Sequence, residues 1–327
     1  MANRRVKRIL IGFKVLDSIF TDICFPILSM ILDLKDLKTA EKQYYLQHVV
    51  APRPICFAST IDKAGNINLS PFSFFNLFSS NPPIVIFSPS RRVRDNTTKH
   101  TLENVLEVPE VVVNIVTYEM VHQVSLASCE YPKEMSEFEK AGFTPEPATL
   151  IKPPMVKESK VKMECKVLEV KPLGTEGGAG NLVICEVMRM HIDDSLFDDP
   201  SPGTPGKKID QRKIHHIARL GGDWYCKVNE SNLFTVPKPN TELGIGVDAL
   251  PESIRNSDIL SGNDLGHLAN VREMPVIEPS FEDTHLKNII QYYSMDPEEM
   301  EKELHAYAKK LLTEGKVKEA WQVLLAF

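Results

Sequence analysis

The stretch from Ser59 to Asn76 (Ser-Thr-Ile-Asp-Lys-Ala-Gly-Asn-Ile-Asn-Leu-Ser-Pro-Phe-Ser-Phe-Phe-Asn) limits the fold more than any other. It leaves an apolar run, Pro54 to Ala58, reverses at Asp62–Asn66 and returns through Ile67 and Leu69. Gly65 and Asn66 tolerate positive φ and Asp62 can bond its own backbone, so the segment predicts a β-hairpin turn. Pro71 removes a backbone donor from the returning arm, which excludes an ordinary central strand there. Around it, small hydroxyls, amides and aromatics stand at neighbouring positions. A flat, partly polar heterocycle is held by such a surface, with walls for its face and hydrogen-bonding groups for its edge.

At 327 residues the chain suits one large domain or two modest ones. Apolar content of 43% and charged content of 25% are globular values, enough to bury a sizeable core. The formal net charge of −6 argues against a nucleic-acid partner, whose binder presents a basic face. Cysteines stand at 24, 56, 129, 165, 185 and 226 with no CxxC spacing, several inside apolar runs. They read as reduced core residues of a cytoplasmic protein, without a zinc pattern. Arg4 to Arg8 followed by Ile9 to Phe13 mimics a signal peptide, but Lys14 and Asp17 interrupt it and no cleavage site follows. It is too broken to span a membrane, so no membrane partner is expected. Residues 1–29 read as an upstream extension, disordered or from a misassigned start, with Met30 opening a more conventional segment.

Thr39 is expected to cap a short helix over Glu41–Tyr45, and Pro52-Arg53-Pro54 forces extended backbone. After the break at Asn81-Pro82-Pro83, Ile84 to Ser88 is a short buried strand. The following loop carries Arg91, Arg92, Arg94 and Lys99 among hydroxyl side chains. A solvated charge run and a cradle for a phosphate monoester both fit it. Thr101 reads as the cap of a helix Leu102–Glu107, whose amides would face the same anion. Glu110 to Val116 is a β-branched strand with Asn114 as a core amide. Ser125 and Ser128 follow in a helical segment, and Glu134–Ala141 is a short acidic helix stopped by Gly142.

Val161 to Val167 alternates strictly, and the phase slips at Leu168, the mark of a β-bulge. Gly174 to Gly180 lacks the Gly-Lys-Ser/Thr ending of a phosphate loop and precedes a strand, Leu182–His191, so it reads as a hairpin loop. Asp193 to Gly206 is acidic and rich in proline and glycine. His215 and His216 point apart on a helix or a strand, and no metal site is expected. Near the C-terminus Asp296 caps a helix with Pro297 in its first turn. Met300, Leu304, Tyr307, Ala308 and Leu311 form one stripe, Gly315 ends the helix, and Val317 to Leu325 continue on a second. This αα-hairpin must bury its stripe against the barrel or a partner.

The ordered set Pro52-Arg53-Pro54, Ser59-Thr60-Ile61-Asp62, Gly65, Asn68 to Asn76, Pro82-Pro83 and Lys99-His100-Thr101-Leu102-Glu103-Asn104 resembles the flavin reductase-like family, flavoredoxin-like proteins included. Two positions depart from the family pattern: Ser70 where Ala is usual, and His100 where Asp is usual. The resemblance implies a mainly β fold with α additions: an antiparallel, Greek-key, FMN-binding split β-barrel over residues 30–240. Residues 241–327 form a C-terminal extension with the helical hairpin. It implies FMN as cofactor, NADH or NADPH as donor, a homodimer, and NAD(P)H-dependent reduction of flavin without a catalytic side chain. The implied cofactor-binding residues are Arg53, Ser59, Thr60, Asn68, Leu69, Ser70, Pro71, Phe72, Ser73, Ser88, Lys99 and Thr101. Lys99, Thr101 and Arg53 would hold the phosphate. Arg219, Gly221, Gly222 and Tyr225 match a further family segment, making His216 and Arg219 candidates for the nicotinamide or flavin edge. A non-enzymatic FMN electron carrier and a flavin-free interaction scaffold are the alternatives.

Overall fold

The computed structural model describes residues 30–198, 206–237 and 243–326. The extension read at 1–29 and part of the acidic segment 193–206 lie outside the described residues. The chain divides into two compact units, one ending at Leu233 and the other beginning at Phe234.

The first unit opens with helix α1 (Thr39–Val49), followed by β1 (Cys56–Ile61), β2 (Ile67–Phe72), β3 (Phe75–Ser80) and β4 (Pro83–Phe87). Helix α2 (His100–Glu107) and β5 (Glu110–Ile115) come next, then α3 (Val121–Leu126), α4 (Glu137–Ala141) and the two-residue strands β6 (Pro145–Glu146) and β7 (Met155–Val156). The long strands β8 (Val161–Pro172) and β9 (Asn181–Ile192) precede α5 (Gln211–Ile214), β10 (Ile217–Arg219) and β11 (Tyr225–Lys227). Seven strands make one antiparallel sheet in the order β2-β1-β5-β8-β9-β4-β3.

Laid flat, five inter-strand steps would set β2 and β4 about 24 Å apart. Yet the rings of Phe72 on β2 and Phe87 on β4 lie 5.4 Å apart. The sheet therefore curls around a shared core that also takes Leu102 and Val105 of α2. On the opposite face, Phe57 of β1 and Ile55 just before it pack with Val121 and Val124 of α3 and Phe138 of α4. Burial on both faces explains why Pro54 to Ala58 is apolar without alternation.

The hairpin turn forms as its residues predict. Gly65 takes φ +93°, and both the main-chain and side-chain N–H groups of Asn66 donate to the Asp62 carboxylate (2.8 and 2.9 Å). Pro71 lies on edge strand β2, opposite Phe57, where its missing donor interrupts no central ladder. The register of β8 against β9 shifts between Val167 and Glu169, at the predicted slip. Gly174 to Gly180 is the β8–β9 hairpin loop. The strand β3 has no counterpart in the sequence reading. Its exposed Leu77 and Phe78 and its polar Asn76, Ser79 and Ser80 give it no clean period.

The second unit contains α6 (Glu252–Arg255), α7 (Gly262–Ala269), α8 (Thr284–Tyr292), α9 (Pro297–Thr313) and α10 (Val317–Leu324). The Asp296 side chain accepts from Glu299 N, and Gly315 takes φ +76° between α9 and α10. The hairpin stripe does not wait for the barrel or a partner. Leu304, Ala308 and Leu311 bury with Leu250, Ile254, Leu268, Leu286, Ile289 and Trp321 of the same unit. The sequence reading missed this because the short helices α6 and α7 carry too few turns to show a period.

Candidate functional site

Helix α1, the turn before β3 and the loop after β4 enclose a cleft of about 780 Å³. Leu46, Val50 and Phe74 give it apolar walls, while Lys42, Arg91, Arg92, Arg94 and Lys99 line it with cations and Glu130 with one carboxylate. A much smaller recess of about 20 Å³ shares Arg92, Lys99 and Glu130 with the cleft and adds Asn68, Ser70, Thr101 and Ser128.

The loop of cations is held in shape by its own hydrogen bonds. Arg91 Nε donates to Asn96 Oδ1 (2.6 Å), and Asn96 takes φ +58°. Arg92 donates to Thr97 Oγ1 (2.9 Å), Glu130 Oε1 (2.8 Å) and the Thr98 carbonyl. The glycine hairpin docks on this loop: Arg91 N donates to Ala179 O (2.8 Å) and Gly178 N to Arg91 O (2.9 Å). A Cβ on Gly177 would stand 3.0 Å from the Arg92 carbonyl, so the run is glycine-rich because two backbones touch.

Lys99 is the N-cap of α2, with no side-chain cap. Its ammonium stands 4.0 Å from Glu130 Oε1. Burial first, then the charge of Arg92, pushes its pKa down. Thr101 does not cap the helix as its position suggested, because α2 starts at His100, two residues before the expected Leu102, and the Thr101 side chain turns inward. Its hydroxyl donates to Asn68 Oδ1 (2.5 Å). Asn68 Nδ2 donates to Glu137 Oε1 (2.8 Å), and Leu69 N donates to Glu137 Oε2 (3.1 Å). The Glu137 carboxylate thus fixes which end of the Asn68 amide faces Thr101. The hydroxyl hydrogen of Thr101 is committed inward and Oγ offers lone pairs only. Burial pushes the Glu137 carboxyl up.

Arg53 is buried and acts as a clamp. Its guanidinium donates to the carbonyls of Gln47 (2.7 Å), Val50 (2.5 Å) and Leu220 (2.8 Å), with Ser73 Oγ at 3.5 Å. It fastens the end of α1 to the β10–β11 hairpin, and it meets the cleft only as part of its wall. Ser59, Thr60 and Leu69 expose no surface and line neither cleft nor recess, and Phe72 belongs to the core. Thr60 Oγ1 accepts from Asn104 Nδ2 (3.2 Å), while Ser59 Oγ has no partner. Ser88 Oγ is also buried and unpartnered, two residues before the cleft-lining Ser90. Ser70 lines the recess, and Pro71 lies beside it on β2. His216 bridges Thr117, and burial pushes its imidazole pKa down. The Arg219 guanidinium lies over the Tyr225 ring at 4.6 Å. Neither lines the cleft or the recess.

The structure therefore brings Asn68, Ser70, Lys99 and Thr101 to one recess. Sequence reasoning missed the α1 wall, Phe74, Gly178, Glu130 and Glu137. Only Glu137 left a trace, as an acidic residue in a helix whose neighbours Phe138 and Ala141 are apolar.

Residues 49–203 match the model of the flavin reductase-like domain. A protein of Aquifex aeolicus is 38% identical over 179 residues, 55% of this chain and 86% of its own length. The chain belongs to the flavin reductase-like family. Its fold is the family's split barrel, and the membership carries a flavin cofactor and flavin-related redox function. Component B of nitrilotriacetate monooxygenase from Bacillus cereus superposes with a TM-score of 0.58 at 28% identity, covering 64% of this chain and 98% of that one. A split-barrel-domain protein from Shewanella frigidimarina gives 0.52 at 27%, covering 63% and 96%. Among the described residues no helix is long and apolar enough to cross a membrane, and no group of three or more His, Cys, Asp or Glu is placed to hold a metal ion.

Proposed function

We propose that this chain is an FMN-binding NAD(P)H:flavin oxidoreductase. Lys99 carries the reading. Its half-buried ammonium, beside Arg92 and Arg94, has one carboxylate at 4.0 Å and stands where the cleft meets the recess. A cation so placed is under-compensated until a phosphate arrives.

The residues present fit the cofactor. Lys99 and Ser70 suit a phosphate monoester, and Leu46, Val50 and Phe74 suit the face of a ring system. The cleft volume falls in the ordinary range for an organic ligand, roughly 300–1,000 Å³. The orphaned Ser88 hydroxyl is a spare polar group two residues from the cleft-lining Ser90. When bound, FMN supplies hydride acceptance from the nicotinamide and onward electron transfer, so the protein needs no nucleophile of its own. The chain's part is to neutralise the phosphate at Lys99, to hold α1 over the cleft through Arg53, and to keep water from the apolar wall. Exposed Leu77 and Phe78 on edge strand β3, with exposed Tyr44 and Val49 on α1, support a homodimer. The buried free thiols of Cys56, Cys165 and Cys185 support a cytoplasmic setting.

The test is an absorbance spectrum of the purified protein with FMN, followed by anaerobic NADH and then NADPH. Bound-flavin bands that bleach rapidly are expected, and the faster donor is the physiological one. Bands that persist through both additions leave an electron carrier, and absence of bound flavin overturns the reading.

A further inference from the structure

Glu130 holds a place that neither the sequence motifs nor the proposed chemistry assigns to it. Its carboxylate accepts from Arg92 Nε at 2.8 Å through one oxygen and from Arg94 Nη2 at 2.5 Å through the other. Lys99 Nζ approaches the first oxygen at 4.0 Å. Three cations thus converge on one carboxylate at the junction of the cleft and the recess. A bidentate acceptor held by two guanidinium groups and an ammonium is also how proteins hold a phosphate.

We propose that Glu130 is an internal stand-in for the ligand's phosphate, a carboxylate latch that the incoming anion must displace. This rests on the reading of Lys99 as the phosphate-binding cation. Two further observations fit displacement. Arg92, held by Thr97 and the Thr98 carbonyl, and Lys99, at the N-cap of α2, stay fixed to their own elements when the carboxylate leaves. Glu130 itself lies between α3 and α4, outside either helix, with its side chain 37% exposed against 15% for Arg92 and 29% for Lys99, so the carboxylate is freer to leave than either of those cations. A phosphate dianion arriving while Glu130 remains would meet like charge in a partly desolvated site, which opposes binding. The latch therefore selects against weak anions and offsets the mutual repulsion of the two arginines it bridges in the free protein.

The experiment compares FMN with riboflavin, which lacks the phosphate, in equilibrium binding to the full chain. The proteins are wild type, Glu130→Gln and Lys99→Met. Glu130→Gln is expected to tighten FMN about tenfold while leaving riboflavin unchanged, because only the charge opposing the phosphate is lost. Inorganic phosphate should then compete with FMN at correspondingly lower concentration. An FMN-to-riboflavin preference that falls or stays level in Glu130→Gln overturns the latch, and a fall would make Glu130 a positioning residue for the arginines. Lys99→Met separates this failure from that of the underlying reading. If it leaves the preference for FMN unchanged, the phosphate does not bind here and both ideas fall together.

Discussion

The β-rich unit and the helical unit bury different chemistry. In the first, Ser59, Thr60, Asn68, Thr101, Asn104, Asn114 and Glu164 all lie inside, and three of its buried side-chain atoms, Ser59 Oγ, Ser88 Oγ and Asn104 Oδ1, lack a partner. In the second, the buried cluster from Leu250 to Leu324 is apolar. Its buried polar side chains Asp264, His305 and Gln322 each make a structural bond, to Ser261, Ser257 and the 276–278 strap respectively. An unpaired buried hydroxyl costs stability unless something else recovers it. The helical interior is built for packing, whereas the barrel interior keeps features that packing alone would not select.

Trp321→Ala tests this contrast most severely. Trp321 is fully buried, with Nε1 donating to Leu268 O (3.3 Å). Its truncation should cost about 3–5 kcal/mol, read as lost helical signal in chemical denaturation. A loss below about 1 kcal/mol would mean that the cluster is not the core it looks like.

The next effect falls on a buried charge. Glu164 accepts from Thr149 N, Thr149 Oγ1, Leu150 N and His191. Desolvation raises its pKa, but these donors outweigh it and hold the carboxyl at about 2. Glu164→Ala should cost about 3 kcal/mol at neutral pH. The folded pKa lies below the ordinary value of 4.5, so the stabilisation is complete above that value and is lost as pH falls toward 2. Wild type and variant should converge in urea denaturation across that window, and a gap independent of pH would show that packing rather than charge is responsible.

Smaller effects belong to the cleft. If Lys99 holds the phosphate as proposed, Lys99→Met should weaken FMN roughly 10–100-fold with little change in melting temperature, because the side chain is no part of the apolar core. Ser88→Ala should leave the ligand-free protein unchanged or more stable by up to about 1 kcal/mol, because no hydrogen bond is lost. If Ser88 serves the ligand, flavin affinity should drop several-fold in the same variant. Ligand-free stability that falls instead would mean the hydroxyl has a partner in solution, which would blur the contrast between the two units.

Local chemistry was legible wherever a residue's own backbone preference decides the outcome. The Asp62–Asn66 turn, the Asp296 cap and the break at Gly315 all read correctly from such residues, and the slip at Leu168 from the alternation that precedes it. What failed depended on distant partners. Strand β3 pairs only with β4, and its exposed face carries apolar residues, so no alternation marked it. Helix α1 runs to Val49 with no buried residue, so its length left no stripe. Thr101 looked like a cap because nothing near it in sequence shows that Asn68, held by Glu137, takes its hydrogen. The motif residues Ser59, Thr60 and Leu69 looked like ligand contacts, but their strands turn them to the interior.

The chain of bonds from Thr101 through Asn68 to Glu137 runs one way. A molecule resting against the Thr101 hydroxyl meets an acceptor, so that oxygen rewards a guest with a hydrogen to give and offers none to a bare oxyanion. In a ligand that carries a phosphate at one end and hydroxyls along its tether, this polarity would sort the ends if Lys99 takes the anion as proposed: the anion toward Lys99, a hydroxyl toward the Thr101 oxygen. A donor-accepting point beside a cationic one is an address with an orientation, and it would read inorganic phosphate and a sugar-alcohol phosphate as different guests.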